Sequence, residues 1–376
     1  MAEIPRLYQV WKGNNKFLLN GRLVFGPDAK ALIVTVMLIV LPVGVFCAFV
    51  AREFQHHSQE CNAGYVIMSV AIILTVSVLV FLFLTASRDP GIVPRNSHPP
   101  DEILNCYSSA PAVSSNEKCV PHTKEVRVNG LAVRVKYCDT CMVFRPPRCT
   151  HCKICDNCVE RFDHHCPWLG QCIGKRNYRC FFLFVSSAAV LCGFVLSMTA
   201  LHIKFVVDEH GNQWRAIKES PASLALMADC FVSLWFVGGL TVFHLYLISQ
   251  NKTTYENVRN RGDNKRINVY SLGCMSNCNE VFCTRVEAPR INFQGYAADE
   301  AASAAAPNSN NKAGGGCMKN EAIMEENHPS RVRVKVEDDV DIGDVLLKLS
   351  RRRNYSQDIH GIFGTPPPHK SPPPES

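Results

Sequence analysis

The feature that most constrains this 376-residue chain is a set of four long apolar runs. Two of them carry no charged residue over 21 positions (31–51) and 27 positions (61–87). The third covers 180–203, and the fourth covers 222–248 and is interrupted only by Asp229. A bilayer core of about 30 Å needs about 20 helical residues at roughly 1.5 Å each, so each run is long enough to cross it. We therefore expect four transmembrane helices rather than buried helices of a soluble domain.

Polar segments separate these runs, which is why the mean hydropathy of the whole chain is only −0.01. They hold no nucleotide-binding loop, no transporter-like repeat and no basic patch typical of nucleic-acid binding. We therefore expect no nucleic-acid partner. The carboxylate of Asp229 near the start of the fourth run has two interpretations, an interfacial acid at a helix end or a functional acid within the membrane, and the first is favoured.

The distribution of basic residues predicts the orientation of the spans, because cytoplasmic loops carry the excess of Lys and Arg. The segment 88–179 holds 14 Lys and Arg against 9 Asp and Glu, which supplies +5 of the chain's formal charge of +7. The short segments 51–63 and 204–221 have no comparable excess. We therefore expect both termini and the central segment in the cytosol. A glycan on Asn251, which lies in the sequon Asn251-Lys252-Thr253, would contradict this topology.

These patterns predict an order of segments along the chain. The expected segments are a cytosolic N-terminus (1–29), a first span (30–51), a luminal or extracellular loop (52–63), a second span (64–87), a cytosolic linker (88–135), a cysteine-rich domain (136–179), a third span (180–203), a second luminal or extracellular loop (204–221), a fourth span (222–249), a cytosolic segment (250–296) and a tail (297–376). The proline-containing stretch 92–136 is expected to form a loop rather than a second domain. The tail is rich in Ala, Asn, Gly and acidic residues and ends in proline runs, so we expect disorder there.

The cysteines are concentrated in one part of this order. Eight of the 19 Cys lie between Cys138 and Cys172. Structural disulfides are improbable in a reducing cytosol, where clustered cysteines are more often metal ligands or reactive thiols. Pairs separated by two residues suit a tetrahedral zinc ion, and Cys138 with Cys141 and Cys152 with Cys155 are the secure pairs.

Counting donors indicates that the cluster does more than bind metal. The same stretch contains three His, so eleven donors are available, whereas two four-coordinate ions use eight. Spacing alone does not decide which three are left over. The remaining ligands must come from His151, Cys158, His165, Cys172, Cys149, His164 and Cys166.

The run Asp163-His164-His165-Cys166 resembles the signature of the DHHC protein S-acyltransferases, also called palmitoyltransferases. Asp89-Pro90-Gly91 after the second span is similar to that family's DPG motif, and Thr253-Thr254-Tyr255-Glu256 after the fourth is similar to its TTxE motif. The stretch from Asn268 to Asn277 resembles the family's C-terminal cytosolic segment. The resemblance covers residues 20–290 and is greatest to the plant members. It implies an all-α polytopic membrane protein with four transmembrane helices and a cytosolic, cysteine-rich double-zinc domain between the second and third.

The resemblance also implies which donors bind two structural zinc ions. One ion would be held by Cys138, Cys141, His151 and Cys158, and the other by Cys152, Cys155, His165 and Cys172. Cys149, His164 and Cys166 would be left free, and no role is implied for Cys149. Among the free residues, Cys166 is implied as the nucleophile and His164 as its base. Asp163 would orient the imidazole, and Thr254 would hold Asp163 by a hydrogen bond.

The implied reaction transfers a long-chain acyl group from palmitoyl-CoA through Cys166 to cysteines of membrane-associated proteins. Trp168, Phe181 and Phe184 are candidate walls of an acyl-chain cavity, although lipid-facing or packing aromatics are an alternative. Arg145 and Arg148 could bind the phosphates of coenzyme A or simply lie near lipid headgroups. The plasma membrane is preferred over Golgi or other endomembranes, on the resemblance to plant members.

Two other classes of protein fit the sequence less well. A membrane-anchored zinc module of the RING type would recruit partners without chemistry, but RING patterns end in a Cys-x2-Cys pair, whereas this cluster ends in Cys166-x5-Cys172. A transporter is disfavoured because the spans show no internal repeat and a single acid near one span end.

Overall fold

A computed structural model describes residues 4–57, 62–101, 103–104, 123–260 and 268–297. Within these ranges, four helices are long and apolar enough to cross a membrane. Residues 102 and 105–122 of the linker, where we expect a loop, and nearly the whole of the tail, where we expect disorder, lie outside the described residues.

The helices follow the apolar runs of the sequence. Their bounds are Ala31–Val45 (α1), which continues through a π-helical stretch Phe46–Ala51 into Arg52–His57 (α2), then Ala63–Ser87 (α3), Tyr178–His210 (α4), Gln213–Glu219 (α5), Pro221–Ser249 (α6), Thr254–Arg259 (α7) and Cys274–Phe282 (α8), with a 3₁₀ turn at Leu7–Gln9. The four candidate spans are α1 with its continuation, α3, α4 and α6. Helix α4 has 33 residues and runs beyond the apolar stretch into the segment predicted as a loop. Length and hydropathy locate a span, but they do not mark where a polar helix end stops.

The expectation of an all-α fold is wrong outside the membrane helices. The described strands are Lys16–Leu18 (β1), Leu23–Phe25 (β2), Thr123–Val128 (β3), Leu131–Cys138 (β4), Val143–Phe144 (β5), Thr150–Cys152 (β6), Asn157–Val159 (β7), His164–Cys166 (β8) and Gln171–Ile173 (β9). All of them pair antiparallel, as β1-β2, β3-β4-β5, β6-β7 and β8-β9. Ligands two residues apart need tight turns, and short hairpins supply those turns.

The hairpin β3–β4 corrects the prediction of a loop over 92–136. Val and charged residues alternate in Thr123–Val128 and again in Leu131–Cys138, and the turn between them is Asn129-Gly130. Both turn residues have positive φ, 48° for Asn129 and 79° for Gly130, which is the geometry that an Asn-Gly hairpin turn requires. The sequence signal was therefore present.

The membrane helices pack around α4, which contacts α3 on one side and α6 on the other. Two apolar clusters lie along them. One is centred on Phe46, Val78 and Leu226, and the other contains Cys166, Phe181 and Ile248 and joins the helices to the cysteine-rich domain. Asp229 is exposed on the third turn of α6.

Candidate active site and metal centres

Two groups of four buried or half-buried donors lie in the cysteine-rich domain. They are Cys138, Cys141, His151 and Cys158 in the first centre, and Cys152, Cys155, His165 and Cys172 in the second. In the first centre the three sulfurs lie 3.5–3.8 Å from Nδ1 of His151. In the second they lie 3.4–3.8 Å from Nδ1 of His165. Tetrahedral zinc with Zn–S of about 2.3 Å and Zn–N of about 2.0 Å places sulfur and nitrogen about 3.6 Å apart, so zinc fits both centres.

Strand register brings these donors together. His151 on β6 lies directly opposite Cys158 on β7, and His165 on β8 lies opposite Cys172 on β9. In each centre the other two ligands are a cysteine at the end of an earlier strand, Cys138 or Cys152, and a cysteine in the turn that follows it, Cys141 or Cys155. Hairpin β6–β7 therefore contributes to both centres, because its strands hold His151, Cys152 and Cys158 and its turn holds Cys155.

The sequence carries a signal that selects these ligands without any family resemblance. The pattern Cys-x2-Cys-x9-His-x6-Cys begins at Cys138 and is repeated, with the same spacing, from Cys152. The ligands left open by counting donors are therefore fixed by an internal repeat, which leaves Cys149, His164 and Cys166 outside both sets.

The other ring nitrogen of each ligand histidine faces a carboxylate. Nε2 of His151 lies 3.4 Å from Asp156, and Nε2 of His165 lies 3.6 Å from Asp28. Carboxylates in this position commonly orient metal-bound imidazoles. Asp28 precedes α1, so the second centre is linked to the start of the first span.

The three donors outside the zinc sets have different surroundings. Cys149 is buried in an apolar cluster and contacts the sulfur of Cys158. Cys166 is buried at the end of β8, two residues beyond His164 on the same strand, and its thiol contributes to raising the pKa of the His164 imidazole. His164 contacts a carboxylate at hydrogen-bond distance, since its Nδ1 lies 2.7 Å from Oδ2 of Asp163.

The carboxylate of Asp163, the imidazole of His164 and the thiol of Cys166 therefore lie in that order, each next to the following one. Because Asp163 occupies Nδ1, Nε2 is the ring nitrogen that remains for the thiol proton. The buried surroundings oppose a charged imidazole, but the hydrogen bond to Asp163 and the nearby Cys166 thiol raise the pKa of His164 to about 10. Burial likewise opposes ionisation of Asp163, yet the hydrogen bond from His164 keeps its pKa below the usual range. The arrangement suits a carboxylate that holds an imidazolium beside a thiolate.

The segment after α6 holds Asp163 in place. Oδ1 of Asp163 accepts a hydrogen bond of 2.9 Å from the backbone N–H of Thr254, and its carbonyl accepts one from the N–H of Tyr255. The predicted contact between Thr254 and Asp163 thus exists, but the backbone makes it. The Thr254 hydroxyl has no hydrogen-bond partner among the described residues.

Polar side chains attach hairpin β8–β9 to the membrane helices. The Gln171 amide donates to the carbonyls of Val24, Ala86 and Arg88, and the Asn177 amide donates to those of Thr85 and Cys172. Asp89 accepts from the N–H groups of Gly91 and Ile92 and pairs with Arg176 at 2.7 Å. These contacts fix the end of α3 and the beginning of α4 to the hairpin that carries Cys166.

The predicted apolar residues lie around Cys166 to different degrees. Phe181 is buried and belongs to the same apolar cluster as Cys166, and Phe184 is half-buried against that cluster. Trp168 is 57% exposed, while its carbonyl accepts a hydrogen bond from Thr35 on α1. Cys166 therefore packs among residues at the ends of the spans.

The predicted coenzyme A contacts have structural partners of their own. Arg148 donates to both carboxylate oxygens of Glu256 and to the side chain and carbonyl of Asn251, and it lies over the ring of Tyr270. Glu256 outweighs burial and raises the pKa of Arg148. A phosphate would have to compete with Glu256, which weighs against a coenzyme A role for Arg148. Arg145 is half-buried after β5.

The sequence did not predict this junction, by which we mean the buried polar group formed by Arg148, Asn251, Glu256 and Tyr270. Asn251, which is 2% exposed, also accepts from Arg161 and donates to Glu280. Its amide is fully engaged, so the folded protein offers no room for a glycan on this sequon.

Comparisons with known proteins agree with the motifs. A family model for DHHC palmitoyltransferases matches residues 133–261. The chain is 55% identical over 352 residues to Protein S-acyltransferase 8 of Arabidopsis thaliana, with 93% of this chain and 84% of that relative covered. It is 52% identical over 355 residues to Probable protein S-acyltransferase 9 of the same plant, with 93% and 83% covered.

Proposed function

Because this chain belongs to the DHHC palmitoyltransferase family and is a protein S-acyltransferase, we propose that Cys166 is the residue that carries the acyl group. One observation supports this choice above the others. Cys166 lies outside both ligand sets, and its thiol interacts with the imidazole of His164, whose Nδ1 is held by Asp163. A thiol paired in this way is readily converted to a nucleophilic thiolate.

The proposed reaction has two thioester exchanges. His164 takes the proton of Cys166, and the thiolate attacks the carbonyl of a long-chain acyl-CoA such as palmitoyl-CoA. The carbon–sulfur bond to coenzyme A breaks, and the departing thiolate receives a proton from His164. A cysteine thiol of the acceptor protein then attacks the acyl-enzyme with His164 as base, which restores the Cys166 thiol.

Zinc would serve this reaction as a structural ion, bound by the eight ligands and holding the hairpins in register. Asp163 would keep the His164 ring in the tautomer that leaves Nε2 toward Cys166. Thr254 and Tyr255, through their backbone N–H groups, would keep Asp163 in position.

A membrane location suits the acyl donor. A palmitoyl chain has about 15 carbons beyond the carbonyl, and at about 0.8 kcal/mol per methylene its burial is worth roughly 12 kcal/mol. Phe181 and Phe184 would line its entry between the spans, with Trp168 at the boundary. Arg145 is retained as a candidate for the phosphates of coenzyme A.

The proposed topology places both termini and the zinc domain in the cytosol, where acceptor cysteines of membrane-associated proteins are reached. Two observations support a common side. The N-terminal segment pairs with the C-terminal one, through Leu7 N–H to Gly295 and Tyr8 N–H to Phe293. Asn14 donates to the carbonyl of Cys155 in the second zinc centre. The plasma membrane is the proposed compartment.

The test is to incubate purified protein with alkyne-labelled palmitoyl-CoA and to detect a hydroxylamine-sensitive adduct. We expect Cys166→Ser to abolish the adduct and to retain two equivalents of zinc. A matched control is Cys149→Ser, another buried thiol of the same domain, which should label normally. Full labelling of the Cys166→Ser protein would reject the assignment.

A further inference from the structure

A buried polar pair lies next to the catalytic residues and has no part in the reaction described above. The hydroxyl of Tyr178, the first residue of α4, and Nδ1 of His244 on α6 share a hydrogen bond of 2.9 Å. Tyr178 is 8% exposed and His244 is 1% exposed. Both lie within helices that span the apolar layer, where ionisable side chains are costly and commonly mark functional sites.

Aromatic contacts connect this pair to His164. The rings of His244 and Phe181 are 5.0 Å apart and meet edge to face, and the rings of Phe181 and His164 are 5.3 Å apart in the same manner. His244 itself lies 6.3 Å from His164. The His164 ring is therefore held at Nδ1 by Asp163 and across its face by Phe181, and Phe181 is held by His244.

We propose that Tyr178 and His244 are positioning residues for acylation of Cys166. Their hydrogen bond fixes the ring of His244, which fixes Phe181 and, through it, the angle at which His164 presents Nε2 to the thiol. Small errors in the placement of a base slow proton transfer strongly. This inference rests on the proposed function, since it assumes that His164 serves Cys166.

A plain structural role makes a different prediction. A tyrosine–histidine bond between α4 and α6 could simply join two helices, and such bonds stabilise membrane proteins modestly. The chain offers a matched control, because His202 on α4 and Ser223 on α6 make a second buried bond of 3.1 Å between the same helices. That bond lies near the opposite ends of the two helices, where His202 approaches Phe54 rather than the zinc domain.

The experiment measures single-turnover acylation of Cys166 over a range of palmitoyl-CoA concentrations. We expect Tyr178→Phe to lower the maximal rate constant about threefold to tenfold, the effect of one lost hydrogen bond. The KM for palmitoyl-CoA, the fraction of protein labelled and the zinc content should not change. Ser223→Ala should leave the rate constant unchanged.

A double variant separates positioning from stability. Replacing both polar partners by apolar rings is nearly neutral for stability, so Tyr178→Phe with His244→Phe should unfold close to the wild-type temperature and still acylate slowly. The proposal is overturned if either variant acylates at the wild-type rate, or if Ser223→Ala is slowed equally. Failure of the proposed function would look different, since label would then persist in Cys166→Ser.

Discussion

At the scale of single residues, the junction around Arg148 shows how the fold holds the carboxylate of Asp163 in place. Arg148 is bound through two of its nitrogens by Glu256, and the side-chain exposures are 8% and 21%. Glu256 also accepts from the backbone N–H of Thr253, and Thr253 accepts from that of Glu256. This capping box begins α7 at the residues whose N–H groups bind Asp163.

Removing the carboxylate of Glu256 is expected to destabilise the protein and to slow acylation. Glu256→Ala leaves the buried guanidinium of Arg148 without its carboxylate partner and with only its hydrogen bonds to Asn251, which costs about 3 kcal/mol. Thermal unfolding in detergent, with the acylation assay run in parallel, measures both effects. Glu125→Ala is the control, because its pairing with Arg134 is exposed and 3.8 Å long and contributes little. Equal unfolding temperatures for the two variants would contradict this account of the junction.

The sequence predicts some residues of the site better than others, for physical reasons. Zinc ligands must obey fixed spacings, so the repeated pattern of Cys and His that begins at Cys138 and again at Cys152 is visible in the sequence. The motif around Thr254 located this residue, but its bond to Asp163 is made by the backbone N–H, which every residue except proline possesses, so the sequence does not reveal which atom makes the contact. His244 is one polar residue in an apolar run, and only the register of α4 against α6 shows that it meets Tyr178.

At the scale of elements, hairpin β8–β9 is held against the beginning of α1. Gly170 in its turn has φ of +61°, and a Cβ there would lie 2.2 Å from the carbonyl oxygen of Asp28. Backbone atoms cannot move aside as a flexible side chain does. The position therefore requires glycine for both its conformation and its close approach.

We expect Gly170→Ala to lower the unfolding temperature and to slow acylation, because the hairpin must move away from α1. Gly130→Ala is the matched control, since its φ is +79° and its Cβ would meet nothing within 4 Å. The control should lose only the conformational cost, about 1 kcal/mol, and acylate normally. If the two variants behave alike, the close approach to Asp28 has no functional weight.

The helices and strands differ in how strong a signal they leave in the sequence. The spans follow from composition alone, since a run of 20 or more apolar residues has few alternatives. The three-residue strands β6 to β9 have no periodicity long enough to detect, and they exist because metal ligands and turns impose them. Strands β3 and β4, by contrast, carry a signal in the alternation of Val with charged residues on both sides of the Asn129-Gly130 turn.

At the scale of the whole molecule, the two zinc centres join three successive parts of the cysteine-rich domain, and the last of these parts carries Cys166. The first centre joins β4 and the residues after it to hairpin β6–β7, and the second joins that hairpin to β8–β9, which carries Cys166. The second centre also meets the N-terminal segment through Asn14 and Cys155. The two centres are chemically alike but not equally close to the reaction.

Loss of either centre should therefore have unequal consequences. Cys141→Ser and Cys155→Ser are each expected to release about one of two zinc ions, since each removes a buried thiolate ligand. Cys155→Ser should reduce acylation of Cys166 by more than tenfold relative to Cys141→Ser, because it frees the hairpin that positions the thiol against His164. Zinc content by atomic emission and the single-turnover assay, applied to the same preparations, measure both quantities.

The control is Cys149→Ser, because Cys149 is a buried cysteine that contacts Cys158 without being a ligand; this variant should keep both ions and full activity. Equal loss of activity in the Cys141 and Cys155 variants would mean that the domain folds as one unit around both ions, with no order between them.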